Sequence, residues 1–122
     1  TKSNLRDETL ETVNTITIDV YCERHGINHI DILKTDTEGH DLQVLKGARL
    51  LFGGSKIDWV LVEVSFNPTD KTHSYFEDVC KYLTDNGMEA YCFYDHYFSH
   101  GGFRQLFCNV LFVRKGLSTE RV

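Results

Sequence analysis

The sequence predicts an α/β fold with a mostly parallel sheet and helices on both of its faces. Short strand-forming segments alternate with amphipathic helical segments along the 122 residues, which is the order that a parallel sheet requires. Residues 59–66 are almost continuously apolar, as is typical of a central parallel strand. The last two predicted strands have no helix between them, so we expect the sheet to end in an antiparallel hairpin.

The composition indicates one soluble domain over residues 1–122. The chain is 41% hydrophobic and 25% charged, close to the globular average, and it is long enough to bury a core. Its net charge is −5 without a dense Lys/Arg cluster, so we expect no nucleic-acid partner. No apolar run approaches the roughly 20 residues of a membrane span, and residues 1–7 lack the apolar centre of a secretion signal. We therefore expect a cytoplasmic protein with no membrane partner.

The four cysteines are expected to be reduced thiols. They lie far apart, form no CxxC pair and sit in apolar or amphipathic stretches. A disulfide framework or a zinc site is therefore not indicated. The four residues are Cys22, Cys80, Cys92 and Cys108.

The first part of the chain contains two predicted strands with a short helix between them. Residues 12–18 are rich in β-branched side chains and predict a strand. Thr17 is placed to cap a helix over residues 19–25, and Gly26 ends that helix. Residues 30–36 form the second predicted strand, which leads directly into an acidic loop.

A predicted helix follows this loop. Residues 40–52 place Leu42, Leu45 and Phe52 on one helical face, and two consecutive glycines end the helix. The apolar strand over residues 59–66 comes next in the chain. We therefore expect a strand, helix, strand unit around the acidic loop.

The most clearly patterned helix lies in the second half of the chain. Ser74 and Glu77 have the spacing of a capping box, and Asn-Gly at residues 86–87 ends the helix. Strands over residues 88–94 and 106–114 are joined by an aromatic, histidine-containing loop. The apolar face of the helix consists of Phe76, Val79, Cys80 and Leu83.

The acidic loop is the strongest candidate site. Asp36, Glu38 and Gly39 follow an apolar strand and precede a helix, which is where open α/β sheets bind their ligands. Helix capping is the alternative, because carboxylates are favoured at helix N-termini. Capping accounts for one carboxylate more readily than for two beside a glycine, which can approach a ligand closely. His40 is a candidate base, and a solvated surface histidine is the alternative for it.

Two charged residues interrupt otherwise apolar strands. Lys34 and Glu63 must be paired or must reach solvent, because an unpaired buried ion costs several kcal/mol. Two alternatives stay open. The two side chains pair across neighbouring strands, or each reaches the edge of a cleft.

The local sequence resembles the FkbM family of methyltransferases. That family shows a Thr-Leu-Asp segment, a Lys-x-Asp-x-Glu-Gly strand end, a Leu-Lys-Gly-Ala helix and a glutamate on the next strand. The corresponding positions here are 17–19, 34–39, 45–48 and Glu63. The departures are small, Ile18 for the usual leucine and Asp41 for the usual glutamate.

The resemblance implies the carboxyl-terminal portion of a Rossmann-like methyltransferase that uses S-adenosylmethionine. Such enzymes hold the cofactor with a glycine-rich turn after their first strand, and the nine glycines here include no GxGxG. The residues before the first predicted strand are too few for the missing βαβ units. We therefore expect that this chain alone does not bind the cofactor measurably. A gene fragment, a shortened version and one piece of a split protein all stay open.

The resemblance also implies roles for individual residues in transfer of a methyl group to an oxygen of a small molecule or sugar. Asp36, Glu38 and His40 are the catalytic candidates. Asp36 and Gly39 are the expected contacts with the cofactor. The expected substrate-pocket residues are Lys34, Glu63, Tyr94 and His96.

A metal site has weaker support. Asp36, Glu38 and Glu63 are oxygen ligands at neighbouring strand ends, as in catechol-type methyltransferases that use a divalent cation, but their spacing does not require one. His96 and His100 share a face only in a helix, which the neighbouring glycines disfavour. We assign no metal ligand, and we expect the aromatic residues of the loop to cover the sheet edge or to wall the acceptor pocket.

Two other classes of function stay open from the sequence. One is a non-catalytic remnant or split subunit that covers an exposed strand by self-association or by binding a partner with the missing strands. The other is a metal-dependent phosphotransfer domain that uses the acidic loop and loses activity on chelation.

Overall fold

A computed structural model describes residues 9–119 of the chain. The helices are α1 (Ile18–Arg24), α2 (Asp41–Lys46), α3 (Arg49–Gly53) and α4 (Phe76–Asp85). The strands are β1 (Ile30–Thr35), β2 (Ile57–Ser65), β3 (Ser74–Tyr75), β4 (Met88–Phe98) and β5 (Gln105–Arg114). Within this part of the chain, every helix is too short and too polar to cross a membrane. The prediction about a secretion signal concerns residues 1–7, which lie outside the described residues.

The strands form one mixed sheet in the order β1-β2-β5-β4, with β3 paired to the end of β2. β1 and β3 run parallel to β2, whereas β5 runs antiparallel to both β2 and β4. The predicted antiparallel hairpin is confirmed, but the prediction of a mostly parallel sheet is wrong. The hairpin returns β5 into the sheet beside β2, so antiparallel pairing occupies the centre as well as the edge.

All four helices pack against one face of this sheet. Val60, Val62 and Val64 of β2 are 0% exposed and form the centre of the core. Each helix contributes to the same apolar cluster. Helical residues of this cluster include Ile18, Leu45, Phe52, Val79 and Leu83.

The opposite face of the sheet is not covered by the described residues. Trp59, Leu61 and Glu63 of β2 alternate with the core valines and are only partly buried, and Ile32 of β1 is 63% exposed. The prediction of helices on both faces is therefore wrong for this part of the chain. We call this surface the open face; its members from four strands are Ile32, Lys34, Trp59, Leu61, Glu63, Tyr94, Phe107, Asn109 and Leu111.

The predicted strand over residues 12–18 is wrong. Residues 11–17 have no regular structure and are exposed, and Ile18 already belongs to α1. The β-branched composition is outweighed because no described strand lies beside this segment to complete its hydrogen bonds. The predicted cap is confirmed, since Thr17 Oγ1 accepts a hydrogen bond from the Val20 amide at 3.2 Å.

The predicted helix over residues 40–52 is two helices, α2 and α3. The reason is that α1 contacts the chain at the break between them. The Asp19 amide donates to the Gly47 carbonyl at 2.9 Å. The Asp19 carboxylate accepts from the amides of Leu50 and Leu51 at 2.8 and 3.1 Å. Asp19 therefore caps α3 from a distant position in the sequence, which leaves α2 and α3 as separate short helices.

The apolar face of α4 is confirmed, because Val79 and Leu83 are fully buried and Phe76 and Cys80 pack against the core. Its termination at Asn86 is also confirmed. The predicted capping box is wrong. Tyr75 is the N-cap residue and makes no side-chain cap bond. The hydroxyl of Ser74 donates its hydrogen bond to Asp41 instead.

Candidate functional site

The acidic loop lies where β1 ends, and its carboxylates are free. Asp36 and Glu38 are exposed and accept no hydrogen bond from another described residue, and His40, the N-cap of α2, makes no side-chain cap bond. Within the described residues, neither Asp36 nor Glu38 therefore caps a helix. Glu38 also has a φ of 52°, a left-handed conformation that is uncommon for a residue with a side chain.

Asp41 fixes this loop to the rest of the site. It is 2% exposed, and its two carboxylate oxygens accept hydrogen bonds from the Thr37 amide and the Ser74 hydroxyl, each at 3.2 Å. In the sequence, Asp41 stands out only as a departure from the family pattern. An acidic residue in the first turn of a helix usually reflects the helix dipole, so its sequence position does not reveal this structural role.

Gly39 brings the acidic loop against a second loop. Its φ is 102°, and a Cβ atom at this position would lie 2.6 Å from the Lys71 carbonyl oxygen. Only glycine fits such a close approach at this backbone conformation. The approach is to the chain's own backbone, and it joins the loop after β1 to the loop between β2 and β3.

The second loop carries a histidine that bonds to two carboxylates. His73 Nε2 lies 2.6 Å from Glu63 Oε1, and His73 Nδ1 lies 2.8 Å from Asp70 Oδ2. The imidazole also stacks on Phe107 of β5, with ring centroids 4.3 Å apart. Sequence reasoning missed both Asp70 and His73, because their segment has neither an apolar period nor a recognised motif.

Local hydrogen bonds fix the geometry of this loop. Asp70 Oδ1 accepts from both the amide and the hydroxyl of Thr72 at 2.8 Å. The Asn67 side chain accepts in the same way from Thr69 at 3.1 and 2.9 Å. Burial of the Asp70 carboxyl raises its pKa, but the bonds from Thr72 and His73 outweigh that effect and leave the pKa below its ordinary value. Asp70 is therefore ionised at neutral pH and can only accept hydrogen bonds.

Lys34 and Glu63 do not pair with each other. Glu63 forms its ion pair with His73, and Lys34 is exposed on β1, where its register partner is Leu61. Of the two alternatives that the sequence left open, pairing across the strands is wrong. Both side chains lie on the open face, in neighbouring positions of the sheet.

The sheet register brings other candidate residues onto the same face. Glu63 of β2 is the partner of Asn109 on β5, and Asn109 is the partner of Tyr94 on β4. These three residues therefore form one row across the strands. The row borders a pocket of ≈ 320 Å³, which is lined by Ile32, Leu61, Tyr94, Asp95, Asn109 and Leu111.

His96 lies further along β4. It is exposed, hydrogen-bonds the side-chain amide of Gln105 and stacks on Phe98. The segment around it is a strand, so His96 and His100 do not share a helical face. The structure thus places His96 towards the tip of the hairpin and beyond the row that contains Tyr94.

A possible metal group lies at the other end of the sheet. In residues 9–119, His29, Asp31 and Asp58 are the one set of three metal-ligating side chains whose atoms lie within 4.8 Å of one another. Arg114 Nη2 lies 3.1 Å from Asp58 Oδ1 and neutralises this carboxylate without a metal ion. Asp36, Glu38 and Glu63 do not form such a set, so the idea that they hold a divalent cation together is not supported.

Comparison with known proteins identifies the family of this chain. The sequence model of the methyltransferase FkbM domain matches residues 1–90, a span that contains the acidic loop, Glu63 and His73. No curated protein and no solved structure matches the chain significantly. Because the matched span covers well over half of the 122 residues, this chain belongs to the FkbM methyltransferase family.

Proposed function

We propose that this chain is the acceptor-side portion of an S-adenosylmethionine-dependent methyltransferase that acts on a hydroxyl oxygen of a small molecule or sugar. The family assignment supports methyl transfer as the reaction. The observation that carries the acceptor-side assignment is the group of carboxylates at the carboxyl ends of β1 and β2. Asp36 and Glu38 are exposed and unbonded within the described residues, and Glu63 is partly exposed beside them.

The charge of the site supports an uncharged acceptor. Asp36, Glu38 and Glu63 are acidic, and Lys34 of β1 is the one basic residue among the open-face residues named above. A phosphorylated or carboxylated acceptor would be repelled by such a surface. Hydroxyl groups, in contrast, donate hydrogen bonds to carboxylates, so a neutral polyhydroxyl compound fits these residues.

FkbM methyltransferases use S-adenosylmethionine, and the described residues do not form a complete pocket for it. The space beside Gly39, the glycine that follows β1, is filled by the Lys71 carbonyl, and no GxGxG turn follows a strand in residues 9–119. Asp36 stays a candidate contact with the cofactor, whereas Gly39 offers only its backbone. We infer that most of the cofactor-binding surface is supplied by a segment outside these residues.

The open face and the free edge of β1 are where such a segment would bind. β1 ends the sheet on one side, and an unpaired parallel strand beside an apolar face favours addition of further strands. Ile32, Leu61 and Leu111 give this face its apolar character. Self-association through the same surface is the non-catalytic alternative, and light scattering of the purified chain distinguishes a dimer from a monomer.

The catalytic assignment is tested in a full-length FkbM methyltransferase of known acceptor that has the aligned aspartate and glutamate, which we call the reference enzyme. Substitution of the residue aligned with Asp36 by asparagine should lower kcat by about 100-fold, because a carboxylate that orients or deprotonates the acceptor is lost. Asp78 is an exposed residue of α4, and asparagine at its aligned position should leave kcat unchanged. Equal turnover in both variants would contradict a catalytic role for Asp36.

A further inference from the structure

We propose that His73 is a positioning residue, which fixes one carboxylate oxygen of Glu63 and leaves the other oxygen to accept a hydrogen bond from the hydroxyl group of the methyl acceptor. This inference rests on the proposed methyl transfer and adds the residues that orient the acceptor. It does not follow from the acidic loop, since Asp70 and His73 lie in the loop between β2 and β3.

Asp70 determines that the imidazole of His73 carries a proton at Nδ1. Its Oδ1 is occupied by two bonds from Thr72, and its Oδ2 faces His73 Nδ1 at 2.8 Å. Because an ionised carboxylate only accepts hydrogen bonds, Nδ1 must carry a proton and donate it to Asp70. The carboxylate at Nδ1 thus fixes the proton on that nitrogen and turns Nε2 towards Glu63.

Glu63 lies at the other ring nitrogen of His73. His73 Nε2 and Glu63 Oε1 are 2.6 Å apart, close enough to share one hydrogen bond. With Nδ1 already committed to Asp70, this contact joins all three residues into one chain of hydrogen bonds. Oε1 of Glu63 is therefore hydrogen-bonded. Its orientation is fixed, through His73, by the hydrogen-bonded loop between β2 and β3.

Aromatic stacking fixes the plane of the imidazole. His73 lies parallel to Phe107, with an interplanar angle of 16°, and Phe107 stacks in turn on Tyr97 at a centroid distance of 4.4 Å. A ring with both nitrogens bonded and one face covered has little freedom to rotate. The structure thus provides three independent restraints on the direction in which Glu63 is held.

The exposure of the three side chains shows which one can contact a ligand. The Glu63 side chain is 32% exposed, compared with 18% for His73 and 22% for Asp70. Glu63 also lies beside Leu61 and Asn109 in the sheet, and both of these residues line the pocket on the open face. Glu63 is therefore the end of the hydrogen-bonded chain that faces a bound acceptor.

The first test uses the chain itself, labelled with ¹⁵N histidine. Long-range ¹H–¹⁵N spectra at neutral pH should show a proton on His73 Nδ1, and Asp70→Asn should change the Nδ1 signal, because an amide oxygen accepts a hydrogen bond less strongly than a carboxylate. Asp78→Asn, on the exposed side of α4, should leave the His73 signals unchanged. An unprotonated Nδ1 in the unsubstituted chain would overturn the proposed arrangement whether or not the protein transfers methyl groups.

The second test measures kinetics in a reference enzyme that also has the aligned aspartate, histidine and glutamate. Replacement of the aligned histidine by asparagine should lower kcat by about 100-fold, the size expected when a reacting group is misplaced by an ångström, with KM for S-adenosylmethionine unchanged. Glutamine, whose amide can still donate to the glutamate, should recover part of this loss. Unchanged kcat in the asparagine variant would overturn the positioning role, whereas a failure of the Asp36 test alone would leave it intact.

Discussion

Gly39 is the residue whose role changes most between sequence and structure. From the sequence it is a glycine that lets a ligand approach the backbone. In the structure its free space is taken by the Lys71 carbonyl, 2.6 Å from where a Cβ atom would lie. The glycine thus holds two site loops together, and its contribution is to the shape of the site.

Substitution of this glycine should destabilise the protein. Gly39→Ala introduces a side chain at a φ of 102° and forces the Lys71 backbone to move, so we expect a loss of about 2 kcal/mol or more in the free energy of unfolding. Gly53→Ala is the matched control, because nothing lies within 4 Å of its added Cβ, and alanine there should be neutral or stabilising by up to about 1 kcal/mol. Urea denaturation measures both, and equal stability of the two variants would contradict the packing described for Gly39.

Cys108 should be an unreactive thiol. Burial, followed by the negative charge of Glu63, raises its pKa to about 11, and the thiolate is the reactive form of cysteine. Iodoacetamide labelling at neutral pH, mapped by mass spectrometry, should therefore modify the partly exposed Cys92 much faster than the buried Cys108. In urea all four cysteines should react, and rapid labelling of Cys108 in the folded chain would contradict its burial beside Glu63.

At the scale of helices and strands, the sequence predicts several features that depend on neighbouring residues and misses those that depend on distant contacts. The Thr17 cap, the apolar face of α4 and the β4–β5 hairpin depend on neighbouring residues, and their patterns are visible in the sequence. The split between α2 and α3 depends on Asp19, some thirty positions away from its partners. Similarly, the sequence predicts that Ser74 caps α4, but its hydroxyl donates a hydrogen bond to the distant Asp41.

The same distinction applies to the candidate site. The acidic loop is continuous in sequence, so Asp36 and Glu38 could be identified directly. His73 joins Glu63 only because β3 pairs in parallel with the end of β2 and brings its loop back over the sheet. Nothing in the local sequence around His73 indicates this contact, which is why a central residue of the site was missed.

The contact between α1 and α3 provides a test at this scale. Asp19→Ala removes the acceptor for the amides of Leu50 and Leu51 at the start of α3, and the loss of such a cap should cost about 1–2 kcal/mol. Asp85→Ala is the control, because its pair with Lys81 on α4 is exposed to solvent and should contribute little to stability. Thermal or urea unfolding compares them, and a larger effect for Asp85 would contradict the capping role of Asp19.

At the scale of the whole molecule, the main feature is a sheet whose helices, within residues 9–119, all lie on one face. Val60, Val62 and Val64 are sealed beneath the helices, while Ile32 and Tyr94 on the other face are 63% and 42% exposed. A surface of this kind beside a free strand edge favours binding of a further structural segment. The acceptor side of the proposed site lies along the same surface, at the carboxyl ends of β1 and β2.

The central claim is that this chain contributes the acceptor side of a methyltransferase site and lacks most of the surface that binds the cofactor. Isothermal titration calorimetry of the folded chain with S-adenosylmethionine tests it most directly, with the reference enzyme as the positive control. We predict no measurable binding to the chain alone, together with clear binding to the full-length enzyme. Micromolar binding to the isolated chain would contradict the claim.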